Sequence, residues 1–389
     1  MGTRVAIIGA VGAMCIEATR DLIETSGYDE FMLADKNVDK CNQLKKEYAD
    51  SNIIVRGIDA TNYDDVVEAI SGYDFVMNGL PFGIAETTTK ACMDAGIPNT
   101  NMDDFPKDYY YDGYEKANVL CASGIGATPG TTDMLAKWGV AQCDSVEQIN
   151  VSWASFRPIA ISPGLVLTTF WEMAPDEKNR AYYEDGKLHP QPPLKESKTV
   201  KFEEPFGELE VYYVPHPETT RLAEFVPGIK KVVTMGTWPP IEMELLKQLI
   251  DFGIFDKEEI SHCGETLQTL HVVGDLLHQL PRGTSTALWG YALHVETIGV
   301  KDGRPVKITM TTSHPHFTEW GCERAFAKNV AIPMSIGAQL MLAGKTNCMS
   351  GYHVGYDTFE PEEFFAELRK RGILVHEKME TRDIGKSVV

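Results

Sequence analysis

Apolar residues come in short blocks along the first third of the chain, and helical spacing follows most of the blocks. Residues 4–9 form a compact apolar run. Residues 13–25 then set Met14, Ala18 and Leu22 on one helical face. The runs at 31–35, 52–55, 75–80 and 118–122 repeat the strand pattern, with helices predicted over 39–49, 63–70 and 86–95. The blocks are continuous rather than alternating, as in strands buried on both faces. Strand and helix in turn predict a parallel sheet with helices on both sides.

Beyond about residue 145 the period changes. VEQINVSW, GELEVYYV, YALHVETIGV and VKITMTT alternate and are rich in β-branched and aromatic residues. KDGR at 301–304 puts Asp-Gly where a tight hairpin needs positive φ. All six tryptophans lie beyond residue 137. A second, mostly antiparallel sheet with flanking helices is expected here. Helical spacing returns at 334–342 and 361–371, with Pro361 suited to a first turn and Gly372 to a C-terminal cap. The expected division is a first domain at 1–130, joined by 331–389, and a second at 131–330.

Composition narrows the partners. The chain has 389 residues, 43% hydrophobic, enough for two cores, and a net charge of −20. That charge repels nucleic acid and anionic membrane, so neither is an expected partner. No apolar stretch is long enough to cross a membrane. The eight cysteines form no CxxC pair and no zinc spacing. They read as reduced thiols. With an opening that lacks a signal-peptide pattern, they point to the cytoplasm. No metal is expected: His314 and His316 (SHPHF) have no third ligand at sensible spacing.

One strand-to-helix junction carries chemistry. Gly9, Ala10, Val11, Gly12, Ala13 and Met14 form a turn between the first strand and first helix, where unpaired N–H groups and glycine backbone suit a pyrophosphate. The spacing is G-x-x-G-x-x-C, one residue longer than the short form. Val11 is the extra loop residue, and Cys15 stands where a small residue packs on the strand. Asp35, followed by Lys36, ends the second strand about twenty residues after Gly12. There a carboxylate binds a ribose 2′-hydroxyl and repels a 2′-phosphate, which favours NAD over NADP. Two further loops lie at predicted strand C-termini: Asn78, Gly79, Leu80 and Pro81 after the fourth strand, and 124–133, with Thr128, after the fifth. Asp59 either reaches the adenine or serves the next helix. The fold class expected from these signals is α/β: a Rossmann-type doubly wound parallel sheet plus a second α/β domain.

GATPGTTDML, FGELEVYY with HPETTRL, VETIGVKDGRPV and FFAELRKRGILVHEK, in this order behind a G-A-x-G turn, resemble the saccharopine dehydrogenase-like family, especially its lysine 6-dehydrogenase members. The resemblance implies a second domain closing over the first and a homodimer formed largely by that second domain. It also implies NAD(P)-linked oxidation at an amine-bearing carbon. The HPET stretch departs from the lysine 6-dehydrogenase pattern, so the resemblance does not fix lysine as substrate.

Hydride transfer at such a carbon needs a held amine and a proton acceptor. Asp133, just after the Pro129-Gly130 turn, is positioned to hold a substrate ammonium or to cap its own helix. His216 and Glu218 can hand on a proton or form a rigid loop. Arg157 and Arg221 can bind a substrate carboxylate, while Phe170 and Trp171 can line a cavity for a cation. The expected activity is NAD-dependent oxidation at the amine carbon of an amino acid or related amine. NADPH-driven condensation of an amine with a carbonyl, and dinucleotide binding without catalysis, are the alternatives.

Overall fold

The computed structural model describes residues 2–104, 106–159, 161–256, 258–279 and 288–381. Its first half alternates β1 (Arg4–Ile8), α1 (Cys15–Thr25), β2 (Glu30–Asp35), α2 (Val38–Glu47), β3 (Ile53–Gly57), α3 (Tyr63–Ile70), β4 (Phe75–Asn78), α4 (Ala85–Ala95), β5 (Asn99–Asn101), α5 (Asp108–Ala117), β6 (Leu120–Ser123) and α6 (Thr131–Ala141). There follow β7 (Ser145–Phe156), α7 (Pro163–Met173), β8 (Ala181–Glu184), β9 (Lys187–Pro190), β10 (Ser197–Lys201), β11 (Glu208–Tyr213), α8 (Glu218–Phe225), β12 (Lys231–Thr237) and α9 (Pro240–Asp251). The chain closes with β13 (Glu259–His262), β14 (Glu265–Gln268), α10 (Thr269–Gln279), β15 (Gly290–Lys301), β16 (Arg304–Ser313), α11 (Arg324–Leu342), β17 (Gly351–Val354), α12 (Gly355–Thr358), α13 (Pro361–Lys370) and β18 (Leu374–Thr381).

The chain divides into two compact units, 1–134 with 327–371, and 135–326 with 372–389. The first holds a seven-stranded parallel sheet in the order β17-β6-β5-β4-β1-β2-β3. The order reverses between β1 and β4, the switch point where doubly wound sheets bind ligands. Alternate residues of β1 feed two cores. Val5 and Ile7 join Leu22, Leu33 and Met334, while Ala6 and Ile8 join Val66, Val76 and Cys92. Each buried aliphatic side chain stabilises the fold by roughly 1.5–3 kcal/mol. Side-chain caps start two of the helices: Asn37 accepts from the Lys40 N–H, and Asn62 from those of Asp64 and Asp65.

The second unit is built on a nine-stranded, mostly antiparallel sheet with the path β10-β11-β12-β7-β15-β16-β18, and among the described residues only β7 and β12 pair in parallel. The KDGR turn closes β15 on β16, with Asp302 at φ 50° and Gly303 at φ 71°.

Several features differ from the sequence pattern. β5 and α5 are absent from it, because β5 reads Asn-Thr-Asn, buried yet polar. Its side chains are satisfied inside: Asn99 Nδ2 donates to the Tyr114 hydroxyl at 2.7 Å, and Asn101 Oδ1 accepts from Ser123 Oγ at 3.0 Å. The tail after 331 does not stay with the first domain throughout. Residues 374–381 leave it and pair along β16, because β16 offers an open edge to an alternating strand. Residues 382–389, assigned by the pattern to the first domain, lie outside the described residues. Up to Arg371 the tail belongs to the first unit: β17 pairs with β6, Met334 and Ala338 join its core, and Arg371 Nε bonds both Asp21 oxygens at 2.7 and 2.9 Å.

Candidate functional site

The turn after β1 is shaped by backbone. Gly9 sits at φ 73°, where a side chain is strained, and a Cβ there would lie 3.1–3.2 Å from Leu80 and the Gly79 carbonyl. Gly12 donates to Gly9 O at 3.0 Å. Among the described residues, the Ala13 and Met14 N–H groups have no hydrogen-bond partner. They open the first turn of α1, so the turn fits a pyrophosphate. Val11 is more than a spacer. Its side chain is buried, its N–H donates to Asp35 Oδ2 at 3.3 Å, and its carbonyl accepts from Lys40 Nζ at 2.7 Å. Asp35 also accepts the Asn37 N–H at 2.9 Å, so its carboxylate is fixed at the end of β2. Lys36 is exposed beside it. Burial pushes the Cys15 thiol up to about 12, which makes it a packing group rather than a nucleophile. Ala10 is fully buried under the turn.

The second loop faces the first across the switch point. Asn78 is fully buried and turned inward: its Nδ2 donates to Ala85 O at 2.9 Å and Thr89 Oγ1 at 3.3 Å, and its Oδ1 accepts the Leu80 N–H. It shapes the loop from within, and Gly79 and Leu80 present the loop's backbone beside Gly9. Pro81 is exposed and its carbonyl accepts from Ile84 and Ala85. Asp59 is an exposed turn residue whose Oδ1 accepts from the Thr61 N–H and Oγ1. Thr128 is half-buried and precedes a cis proline. Asp133 is buried in the first turn of α6. Its Oδ2 lies against Gly355, where a Cβ would be 3.3 Å away, and its charge contributes to raising the Tyr356 pKa.

The sequence pattern missed the chemistry at the end of β5. A cavity of about 120 Å³ is lined by Glu86, Thr89, Asn101, Asp103, Lys107 and Tyr352, among others. It opens at the same C-terminal edge of the sheet as the two loops. Asp103 Oδ1 is buried and has no hydrogen-bond partner among the described residues. Burial, reinforced by the neighbouring Asp104 charge, raises the Asp103 pKa to about 7 against the opposing Lys107 charge. A carboxyl poised at neutral pH in a polar cavity is suited to proton transfer. The clue available in the sequence was the Asp103-Asp104 pair after NTN, a segment without apolar pattern.

The second unit gathers a separate buried charged cluster. His216 lies between two carboxylates, with Nε2 3.3 Å from Glu172 and Nδ1 3.3 Å from Glu218. Its ring centroid is 5.5 Å from that of Trp153. Burial lowers its pKa, but the two carboxylates outweigh that and raise it to about 10. His216 is therefore an imidazolium at neutral pH, bridging Glu172 and Glu218. The raised pKa favours the rigid-loop alternative over a proton relay near neutrality. Glu172 went unnoticed because it stands alone in the apolar run of α7.

Arg157 is buried beside this cluster. Its Nη1 donates to the Pro158 and Ile159 carbonyls and its Nη2 to Thr169 Oγ1 at 3.3 Å, and the guanidinium lies over the Phe326 ring. Its Nε has no hydrogen-bond partner among the described residues. Arg221, on α8, is half-buried and reaches Glu224 at 3.8 Å. Phe170 is fully buried and edge-on to Phe255. Trp171 beside it is half-buried.

A doubly wound sheet with a glycine turn after β1 and a fixed acid at the end of β2 defines a dinucleotide-binding fold. Residues 5–118 match the saccharopine dehydrogenase NADP binding domain, and residues 126–373 the saccharopine dehydrogenase C-terminal domain. The chain belongs to the saccharopine dehydrogenase family. Its fold is shared with saccharopine dehydrogenase (L-Glu forming) from Saccharomyces cerevisiae, at 15% identity and TM-score 0.71 over 97% of this chain and 100% of that one. It is shared also with homospermidine synthase from Legionella pneumophila, solved with NAD, at 12% identity and TM-score 0.59 over 97% and 91%. Among the described residues, no helix is long and apolar enough to cross a membrane.

Proposed function

We propose that the chain is an NAD-dependent dehydrogenase acting at the amine-bearing carbon of an amino acid or related amine. The observation that carries the cofactor choice is Asp35, fixed at the end of β2 by Val11 and Asn37, where its charge opposes a 2′-phosphate. The turn at 9–14 holds the pyrophosphate on the free N–H groups of Ala13 and Met14. The loops at 78–81 and around Thr128 flank the nicotinamide, which when bound supplies hydride acceptance. Asp103, half ionised near pH 7, takes the proton from the substrate ammonium, and Asp133 holds ammonium charge in the first unit. In the second unit, Arg157 and Arg221 are the cations suited to a substrate carboxylate. His216 fixes Glu172 and Glu218 in place. The same reading carries a homodimer in the cytoplasm, supported by the family resemblance and by eight cysteines of which none is in a disulfide.

The test is fluorescence titration of NADH and NADPH on the wild type, followed by an amine screen with NAD. NADH binding tighter than NADPH, and reduction of NAD by an amino acid or amine, is the expected result. NADPH preference, with oxidation only when amine and carbonyl are both present, supports reductive condensation instead. The description of the matching family as NADP binding favours that second reading.

A further inference from the structure

Cys348, His353 and Asp357 lie at one corner of the first unit, on the loop before β17, on β17 and on α12. One ligand atom from each falls within 4.8 Å of the other two. We infer that they form a binding site for one zinc-class, thiophilic divalent cation, held by Cys348 Sγ, His353 Nδ1 and an Asp357 oxygen. The donor set decides the class. A thiolate and an imidazole beside one carboxylate suit zinc and disfavour magnesium or calcium, which take oxygen ligands.

Two observations beyond proximity support a ligand role. His353 Nε2 donates to the Ser350 carbonyl at 3.0 Å, which fixes that proton and turns Nδ1 toward Asp357. Asp357 uses Oδ1 to accept the Val354 N–H at 3.0 Å, which leaves Oδ2 facing His353 Nδ1 at 2.5 Å. Both groups thus have the outer hydrogen bonds that orient metal ligands. Cys348 Sγ is 3.7 Å from the Asp357 carbonyl, so the thiol is folded over the same pair. Glu115, bonded to Ser350 Oγ at 3.3 Å, adds negative charge beside the site. Without metal, the Nδ1 proton bridges His353 and Asp357. On binding, the cation takes the place of that proton and of the thiol proton, and the bridge opens by under about 1 Å to reach zinc–ligand distances of roughly 2.0–2.3 Å. A fourth position remains for water.

The probe is cobalt(II), then zinc, added to chelator-treated whole protein. One cobalt per chain is expected, with a near-ultraviolet thiolate-to-metal band that zinc abolishes. Cys348→Ser removes the band, and His353→Gln and Asp357→Asn each weaken zinc binding at least tenfold in competition with a chromophoric chelator. Cys263→Ser serves as control, because Cys263 lies exposed beside His262 and forms a second thiol–imidazole pair; it leaves the band unchanged. Far-ultraviolet circular dichroism shows that each variant is folded. No band, a band that survives Cys348→Ser, or one lost with Cys263→Ser overturns the assignment and leaves the cluster an ion pair with a neighbouring thiol.

Discussion

Gly79 has no side chain because Cys15 fills its space: a Cβ on Gly79 would lie 2.0 Å from Cys15 Sγ and 2.4 Å from Cys15 Cβ. Cys15 opens α1 directly after turn 9–14, and Gly79 opens the loop after β4, so their fit sets how closely turn 9–14 approaches loop 79–83. Gly79→Ala is expected to destabilise the fold by about 1–3 kcal/mol, the usual cost of overpacking. Adding Cys15→Gly, despite its own helix penalty, is expected to recover part of that loss. Urea titration of the four members of the cycle measures the coupling, and additive losses would show that the two residues do not share the space.

Asp35→Ala is expected to weaken NADH binding about tenfold, or about 1.4 kcal/mol, and to weaken NADPH binding less or not at all. Fluorescence titration of both cofactors reads the ratio. Equal losses for the two would remove Asp35 from cofactor choice.

Asp103 carries a sign opposite to that of most carboxylates. Its folded pKa of about 7 lies above the ordinary value near 4. The folded chain therefore binds a proton that the unfolded chain has released, and this contribution to stability falls as pH rises from about 4 to about 7. Asp103→Asn is expected to flatten that stretch of the melting-temperature profile. It is also expected to abolish a rise in turnover centred near pH 7. A variant that keeps both profiles would assign the transition elsewhere.

His216 works in the other window. Its folded pKa of about 10 exceeds the ordinary 6.5, so its stabilisation is complete below about pH 6.5 and fades as pH rises toward 10. His216→Gln leaves Glu172 and Glu218 buried without their shared cation, at a cost of about 3–5 kcal/mol. Denaturation at pH 6.5 and pH 9.5 tests this, with the gap between wild type and variant narrowing at the higher pH. A constant gap would mean that the ring is neutral.

The sequence made the sheet order's raw material legible, because β1 to β4 are continuous apolar runs and their helices keep a helical period. Tyr63–Ile70 was placed to the residue. The places of the glycine turn after β1 and of Asp35 at the end of β2 were legible too, since spacing alone marks them. Asn99–Asn101 was hidden, because a buried polar strand has no hydrophobic signature. With it went Asp103, whose raised pKa depends on burial rather than on a motif. Glu172 was hidden for a related reason: its partner His216 is distant in sequence, and no local spacing announces a pair made across a fold. Phe170 was legible as buried or binding, and only packing on Phe255 separates the two.

β17 and β18 complete their sheets from the far end of the chain. A polypeptide leaving the ribosome cannot finish the parallel sheet until residue 354 has emerged, nor the other sheet until residue 381. Nearly the whole chain must be synthesised before either edge strand is in place. Until then β6 and β16 present open edges, the kind of surface that nascent chains need shielded. A stop codon just before residue 351 would thus leave both sheets short of an edge strand at once.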